Sequence, residues 1–271
     1  MAEEKRGWRE VLASAAEGFL RLLFPPRCQA CGAFCPEPLC SACLAQIERI
    51  SLPVCHCCGL PLDPHAQHGN LCPECRRGRW FDLCRAACRY SGPLRLAIHK
   101  LKYAGRAQLA RPLGEMIVAA LRQGPQPGWT ADRHYSPPPA PDIGRITAVV
   151  PVPLHPRRER ERGFNQAELL AQHVAEQLSL PVLPHALRRT KDTASQVGLT
   201  LRQRQQNVRG AFEPGERGAI RGQTLLLIDD VCTTGSTLDE CAKTLKRAGA
   251  EGVYAATVAR QTLKLDLAEL G

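Results

Sequence analysis

The sequence predicts an α/β fold, in which a mainly parallel sheet is flanked by helices and is preceded by a small cysteine-rich module. An unbroken apolar run at 225–228 and a second, mainly apolar run at 146–152 are typical of parallel strands that are buried on both faces. Apolar residues at helical spacing follow both runs, from Ala167 and from Leu238, as alternating strands and helices require. Eight cysteines in four Cys-x-x-Cys pairs lie within the first 75 residues and indicate the separate module. A chain of 271 residues suits two domains.

We expect three segments along the chain. They are an N-terminal helix at 1–24, the cysteine-rich module at 25–80 and the α/β domain at 81–271, with a proline-rich insertion loop at 124–145. The N-terminal helix is predicted to be amphipathic, because Trp8, Leu12 and Phe19 belong to an apolar pattern at helical spacing that ends at a proline pair. Packing onto the protein body is the simpler interpretation of this helix, and a peripheral membrane anchor or a partner-binding helix is the alternative.

The four cysteine pairs have the spacing of zinc knuckles. They are Cys28/Cys31, Cys40/Cys43, Cys55/Cys58 and Cys72/Cys75. Each knuckle supplies two thiolates from a tight turn, and two knuckles complete a tetrahedral Cys₄ zinc site. Thirteen residues separate the last two pairs, which suits a zinc ribbon, whereas the eight between the first two make a tight site. We therefore expect one or two structural zinc ions, with cross-pairing of knuckles left open and redox chemistry as the alternative.

The N-terminal sequence favours a cytoplasmic protein over a secreted disulfide framework. The N-terminal sequence lacks the pattern of a signal peptide, and no run of 18 apolar residues predicts a spanning helix. Paired cysteines in the cytoplasm usually hold zinc. Cys84, Cys88, Cys232 and Cys241 lie outside the knuckles and are expected to be ordinary buried thiols.

The charge of the chain is concentrated in the predicted α/β domain. The formal net charge is +10, and residues 81–271 hold 27 Lys and Arg against 18 Asp and Glu. A surplus confined to this domain favours anionic ligands, either a phosphorylated small molecule or a nucleic acid. Simple solubility is the alternative.

A carboxylate pair and a hydroxyl-rich loop follow the apolar run at 225–228. The carboxylates are Asp229 and Asp230, and the loop residues are Thr233, Thr234, Gly235, Ser236 and Thr237. Ligands bind at the carboxyl ends of strands in open α/β sheets, and backbone N–H groups at a helix N-terminus attract phosphate. Two carboxylates suit ribose hydroxyls or a metal held on a diphosphate. The pattern predicts a sugar phosphate site, with a hydroxyl-capped helix as the alternative, and the chain has neither a P-loop nor a dinucleotide-binding motif.

Basic residues in three other segments are candidates for contacts with anions. For pyrophosphate and a covering loop they are Lys102, Arg157, Arg160, Arg162, Arg188, Arg189 and Arg204. For DNA they are Arg157, Arg158, Arg188, Arg189, Arg202 and Arg204. The stretch from 187 to 212 is predicted to be a polar, mobile loop over the site, with a solvated surface loop as the alternative.

Several motifs together resemble the ComF family. They are the knuckles after P-P-x-C, V-P-V-P-L-H at 150–155, R-x-R-G-F-N-Q-A at 160–167, R-R-T-x-x-x-x-S-Q at 188–196, R-Q-x-N-V-x-G-A-F at 204–212 and I-D-D-V-x-T-T-G-S-T at 228–237. The last also resembles the phosphoribosyl pyrophosphate (PRPP) loop of type I phosphoribosyltransferases. Thr233 stands where 6-oxopurine phosphoribosyltransferases have an acid, which disfavours purine salvage.

The resemblance implies a zinc-ribbon module joined to a type I phosphoribosyltransferase fold. It further implies that Asp229 and Asp230 hold the ribose of PRPP, that 233–237 hold its 5′-phosphate, and that Mg²⁺ accompanies the diphosphate. Three functions follow as expectations. The chain transfers phosphoribosyl to a nitrogen acceptor, handles single-stranded DNA in natural transformation beside competence and recombination proteins, or senses PRPP without turnover.

Overall fold

Strands and helices alternate along most of the chain. The computed structural model describes residues 25–62, 70–122, 139, 141–192 and 201–261, apart from the side chains at 201, 202, 204 and 205. In these ranges the strands are β1 (Leu83–Arg89), β2 (Ala148–Pro151), β3 (Leu187–Arg189), β4 (Phe212–Pro214), β5 (Thr224–Cys232) and β6 (Gly252–Arg260). The helices are α1 (Ser41–Ala45), α2 (Pro73–Arg76), α3 (Gly92–Tyr103), α4 (Ala110–Arg122), α5 (Pro156–Arg162), α6 (Gln166–Leu178), α7 (Leu201–Val208) and α8 (Ser236–Arg247).

The predicted helix at 1–24 and residues 124–138 and 140 of the predicted insertion loop lie outside the described ranges. The described end of that insertion contains a 3₁₀ turn at Ile143–Arg145. None of the helices in the described ranges combines the length and apolarity that crossing a membrane requires.

The central sheet is parallel, as predicted. Its four strands lie in the order β1-β6-β5-β2, so their carboxyl ends meet at one edge. Strand β5 extends beyond its apolar run and includes Asp229 and Asp230, because its pairing with β6 continues to Cys232 opposite Arg260. The strand predicted at 146–152 is shorter than expected, Ala148–Pro151.

Alternating side chains of β5 build separate cores on the two faces of the sheet. Leu226 and Ile228 belong to the core on the face of helices α3, α4 and α6, whereas Leu225 and Leu227 belong to the core on the face of α8. All four side chains are fully buried, which explains why the run is continuously apolar.

The segment at 187–212 corrects one expectation. It was predicted to be a polar loop, but β3 pairs with β4 in an antiparallel two-stranded sheet, and helix α7 lies between them in the chain. Leu187, Val208 and Phe212 are buried in the α8-side core, so a few apolar anchors order a segment whose composition is mostly polar and basic. Residues 193–200 lie outside the described part.

The cysteine-rich module contacts both faces of the sheet. Cys28 and Cys43 belong to the core that contains α3 and α4, whereas Cys55 and Cys75 belong to the core that contains α8. The two halves of the module therefore have different neighbours in the α/β domain, and among the described residues only the second half shares a core with α8, the helix that follows the hydroxyl-rich loop.

Candidate active site and metal centres

The two aspartates lie at the edge where the parallel strands end. Asp230 is 3 % exposed, and its Oδ2 lies 2.7 Å from Nζ of Lys102 on α3. The backbone N–H of Asp230 donates a hydrogen bond to Oδ1 of Asp229 at 2.9 Å. Burying Asp230 requires a compensating charge, and Lys102 supplies it. Lys102, which was predicted to bind pyrophosphate, therefore lies in the site but contacts a carboxylate.

The environment of the pair favours one negative charge over two. Burial, followed by repulsion from Asp230, raises the pKa of Asp229 to about 8. Burial by itself would lower the pKa of Lys102, but attraction to Asp230 and Asp229 raises the pKa above its ordinary value. The ligand-free site therefore holds the Lys102 cation beside an aspartate pair in which ionisation of Asp229 is disfavoured.

The stability of the ligand-free protein should decrease as pH rises towards 8. In the unfolded chain Asp229 ionises near pH 4, so between about pH 4 and 8 the folded state binds more protons than the unfolded state. Because of this residue, the free energy of unfolding decreases by up to about 1.4 kcal/mol for each pH unit over this range. Urea unfolding between pH 5.5 and 8 should show a shallower decline for Asp229→Asn than for the unchanged protein. Parallel pH profiles for the two proteins would contradict the raised pKa.

The hydroxyl-rich loop has a defined internal structure. Gly235 takes a positive φ of 77°, a conformation that other residues adopt only with strain, and helix α8 begins at the next residue. The hydroxyls of Thr234 and Ser236 are 2.8 Å apart, and Thr234 Oγ1 accepts the N–H of Ser236 at 3.3 Å. The loop thus presents the start of an α-helix in a fixed geometry.

Aspartates, loop and basic residues line one cavity of about 710 Å³, a size within the usual range for small-ligand sites. From the predicted set its lining includes Lys102, Asp229, Asp230, Thr233, Gly235, Ser236, Thr237, Arg162 and Arg189. It also includes Arg158, which was predicted only for DNA. Thr234 does not line it, because its side chain is buried inside the loop and bonds Ser236. The structure therefore brings together most of the residues that were predicted from separate segments.

The secondary structure decides which predicted arginines reach the cavity. Arg158 and Arg162 lie one turn apart on the same face of α5, whereas Arg157 points away, 68 % exposed, and pairs with Glu161 at 3.0 Å. Arg160 is exposed and is not among the residues that line the cavity.

On strand β3 successive side chains alternate. Arg189 lines the cavity, and its guanidinium lies 5.6 Å from the centre of the Phe212 ring. Arg188 is 67 % exposed beside Glu213. The side chains of Arg202 and Arg204 on α7 lie outside the described part.

Each predicted cysteine tetrad is assembled from neighbouring knuckles, so the cross-pairing left open by the sequence does not occur. Within each tetrad the Sγ atoms all lie within 4.8 Å of one another. The S–S separations are 3.7 Å for Cys28–Cys43 and for Cys31–Cys40, and 3.8 Å for Cys58–Cys72. A tetrahedral zinc with Zn–S bonds of about 2.3 Å requires S–S edges of about 3.8 Å. Both donor sets therefore fit Zn²⁺, including the tetrad whose spacing was tight.

Comparisons with known proteins agree with this architecture. Residues 19–76 match the family model of the double zinc ribbon domain, and residues 162–266 match that of the phosphoribosyl transferase domain. The "Competence protein F" of Haemophilus influenzae is 33 % identical over 82 % of this chain and 90 % of its own length. This chain belongs to the ComF family.

Two further ComF relatives have similar coverage. The "DNA utilization protein YhgH" of Escherichia coli (strain K12) is 34 % identical over 79 % of this chain and 87 % of its own length. The "Competence protein ComFC" of Bacillus subtilis is 28 % identical over 79 % of this chain and 80 % of its own length. The match to these relatives spans both domains, so the double zinc ribbon and the type I phosphoribosyltransferase fold belong to one ComF architecture.

In this ComF chain two arginines that no sequence motif indicated connect the second tetrad and its flanking segment to the hydroxyl-rich loop and the residue before it. Arg260, 3 % exposed at the end of β6, donates to the carbonyl and Sγ of Cys58 at 2.7 and 3.4 Å and to Sγ of Cys232 at 3.0 Å. Cys232, predicted to be an ordinary buried thiol, thus has a specific partner. Arg79, just after the second tetrad, donates to the Thr234 carbonyl at 3.1 Å. No local motif could identify these contacts. Arg79 and Thr234 are 155 positions apart, Arg260 and Cys58 are 202 positions apart, and Arg260 and Cys232 lie at the ends of two different strands.

Further residues that line the cavity were also absent from the predicted site. They include Tyr90, just after β1, and Arg95, His99 and Tyr103 on α3. Arg95, His99 and Tyr103 are spaced by four residues, and Lys102 follows His99 by three. All four therefore share one side of the helix. That spacing was available in the sequence and would have identified them once α3 was placed beside Asp230.

Proposed function

We propose that this ComF protein binds PRPP with Mg²⁺ and transfers its phosphoribosyl group to a nitrogen acceptor. The observation that carries the proposal is the convergence of two adjacent carboxylates, a helix-opening hydroxyl loop and five Lys and Arg side chains on one cavity. A ribose with phosphate at one end and diphosphate at the other requires these groups on the same side of the sheet. The "Competence protein F" match places the fold in the family but names no substrate.

Each part of PRPP has a complementary group in the cavity. Backbone N–H groups and hydroxyls at 233–237 receive the 5′-phosphate at the start of α8. The carboxylates of Asp229 and Asp230 accept the ribose hydroxyls, and their oxygens are also of the type that Mg²⁺ prefers. Arg158, Arg162 and Arg189 face the remaining wall, where the diphosphate would lie.

The transfer step depends on positioning and on charge. The C1–O bond to diphosphate breaks with its electron pair leaving on diphosphate, the acceptor nitrogen bonds to C1, and its surplus proton passes to water. Arginines around the diphosphate stabilise the negative charge that develops there. Mg²⁺ supplies further neutralisation of the diphosphate when it is bound. The carboxylate pair favours positive charge developing on the ribose ring.

Calorimetric titration with PRPP and Mg²⁺, followed by a diphosphate-release assay with a panel of amines and nucleobases, tests the proposal. Binding together with acceptor-dependent release of diphosphate is the expected result. Binding without release for any acceptor would instead support a PRPP sensor. Failure to bind PRPP at millimolar concentration would overturn both functions.

Adjacent arginines of β3 allow a matched test of the cavity wall. Arg189→Met should weaken PRPP binding about tenfold or more, since a hydrogen bond to a charged group contributes about 1.5–3 kcal/mol. Arg188→Met removes the same charge one position away, on a side chain 67 % exposed, and should leave PRPP affinity within about twofold. Calorimetry on both variants measures the difference. Equal losses would show a general charge effect and place the diphosphate elsewhere.

Single-stranded DNA binding is a second candidate function. Relatives are named for competence and for DNA utilization, and the α/β domain carries the surplus of positive charge. The exposed Arg157 and Arg188 lie outside the cavity and suit phosphate contacts better than PRPP contacts. Competence or recombination proteins are the partners that this function would involve.

We also propose that each tetrad holds one Zn²⁺ as a structural ion and that the protein works in the reducing cytoplasm. The sulfur separations and the burial of the second tetrad support this proposal. Two zinc ions per chain by inductively coupled plasma mass spectrometry is the expected result, and a value near one would mean that only one tetrad is filled.

A further inference from the structure

Helix α3 has an exposed face that carries large apolar and aromatic side chains. Leu94, Ala97, Ile98 and Leu101 on its inner face are fully buried. On the outer face Leu96 is 50 % exposed and Tyr103, seven residues later, is 66 % exposed. A separation of seven residues places both on one side of the helix, two turns apart. Their exposure is not explained by the packing of α3 against the sheet.

Tyr103 is the centre of a small cluster of π-systems and cations. Its ring centre lies 4.7 Å from that of His99, one turn earlier, at an interplanar angle of 49°. The guanidinium of Arg162 on α5 lies 5.3 Å from the centre of the Tyr103 ring. Arg95, His99 and Tyr103 all line the proposed PRPP cavity. The cluster therefore forms part of the cavity wall and continues onto the exposed face of α3.

The segment of the chain that contains α3 carries positive charges and no negative ones. From residue 83 to residue 114 the sequence contains seven Lys and Arg and no Asp or Glu. Glu161, which lines the groove beside Tyr103, is paired with Arg157 at 3.0 Å. A ligand on this face meets cations and ring faces, which is the combination that proteins use for the backbone and bases of single-stranded nucleic acid.

We propose that the outer face of α3 is a binding surface for single-stranded DNA, with one base stacked on Tyr103 and the phosphates held by Arg95 and its basic neighbours. This surface differs from the arginine segments of the second candidate function, because it supplies stacking as well as charge. It also places the bound strand beside the cavity, so an unpaired base and PRPP occupy adjoining positions. The inference rests on the DNA-binding function and does not require phosphoribosyl transfer.

Fluorescence anisotropy with a labelled oligo-dT measures the contribution of stacking. Tyr103→Leu should weaken binding about tenfold, within the range measured when a stacking aromatic is removed, whereas Tyr103→Phe should stay within about twofold. The slope of log affinity against log salt should be unchanged in both variants, because neither removes a charge. Arg95→Ala should instead lower the magnitude of that slope by about one.

Phe34 provides the matched control. Its ring is 64 % exposed and the Arg27 guanidinium lies 3.8 Å from its centre, so it has the exposure and cation pairing of Tyr103 but belongs to the cysteine-rich module. Phe34→Leu should leave DNA affinity unchanged. Loss of affinity in Phe34→Leu with none in Tyr103→Leu would place the DNA path on that module and overturn the proposal.

Photocrosslinking identifies the occupant directly. An oligonucleotide that carries 5-iodouracil should crosslink to the peptide containing Tyr103, as detected by mass spectrometry. DNA binding without this adduct, and without an effect of Tyr103→Leu, would mean that another part of the chain or another partner covers α3. No DNA binding by the unchanged protein would overturn the DNA-binding function together with this surface, while PRPP binding would still test the transferase proposal separately.

Discussion

Replacing Asp229 and Asp230 together by asparagine is expected to abolish PRPP binding and to leave the protein folded. Both side chains line the cavity, and they are the carboxylates that face the position proposed for the ribose. The amides keep the size of the side chains but lose the charge that accepts ribose hydroxyls strongly and favours Mg²⁺. Loss of two hydrogen bonds to charged groups corresponds to at least about 3 kcal/mol, or about a hundredfold in affinity. Calorimetry with PRPP and Mg²⁺ measures this loss.

The ion pair with Lys102 makes a folding control necessary. In the double variant the half-buried Lys102 has no carboxylate partner at 2.7 Å, so some loss of stability is expected. Circular dichroism and zinc content should still match those of the unchanged protein. Retained PRPP affinity in a folded double variant would contradict the assignment of the ribose site.

Disrupting the second tetrad is expected to weaken PRPP binding, although its cysteines do not line the cavity. Cys58→Ser removes one ligand of the zinc proposed there and the sulfur that Arg260 contacts at 3.4 Å. Arg260 is then buried beside a weakened site, and breaking a buried charge pair costs about 3–5 kcal/mol. The same guanidinium holds Cys232, which directly precedes the hydroxyl-rich loop. We expect loss of about one zinc per chain and a decrease in PRPP affinity of about tenfold or more.

The first tetrad is the matched control. Cys31→Ser also removes one ligand from a Cys₄ set, but this tetrad packs on the face of α3 and α4, away from α8. It should lose one zinc and keep PRPP affinity within about twofold. Equal losses of PRPP affinity in Cys31→Ser and Cys58→Ser would indicate general unfolding of the module, and no loss in either would contradict the link to the loop.

A milder variant separates loop support from folding of the module. Arg79→Met keeps every cysteine but removes the hydrogen bond to the Thr234 carbonyl at 3.1 Å. The neighbouring backbone N–H of Trp80 still donates to Asp239 of α8 at 2.6 Å, so the segment remains attached. Zinc content should be unchanged while PRPP affinity decreases. Such a result would show that the module orients the loop through specific contacts.

Much of the site could be predicted because its signals are local. The apolar run of β5, the aspartates that end it and the glycine at positive φ before α8 occupy one continuous stretch of 14 residues, 224–237. Backbone geometry places consecutive residues near one another in any fold that contains this strand and helix. The cysteine tetrads were predictable for the same reason, since a knuckle is a single turn.

Composition alone could not predict which arginines line the cavity, because this depends on the periodicity of the helix or strand that carries them. Arg157, Arg158, Arg160 and Arg162 look equivalent in a basic segment, but in helix α5 only Arg158 and Arg162 face the cavity. The segment with Arg188 and Arg189 was expected to be a loop, and in a strand the two side chains point to opposite sides. In both segments a one-residue shift changes the exposure of a charge.

The sequence by itself determined the α/β fold with its cysteine-rich module, the ComF family and the carboxylate and hydroxyl groups available for a sugar phosphate. Only the tertiary structure decided which distant groups meet them. Lys102 reaches Asp230 from α3, and Arg260 reaches Cys58 across 202 positions of the chain. Such contacts depend on how helices and a zinc module pack on the two faces of a sheet, and this packing is set by the burial of apolar side chains from the whole chain rather than by any short motif.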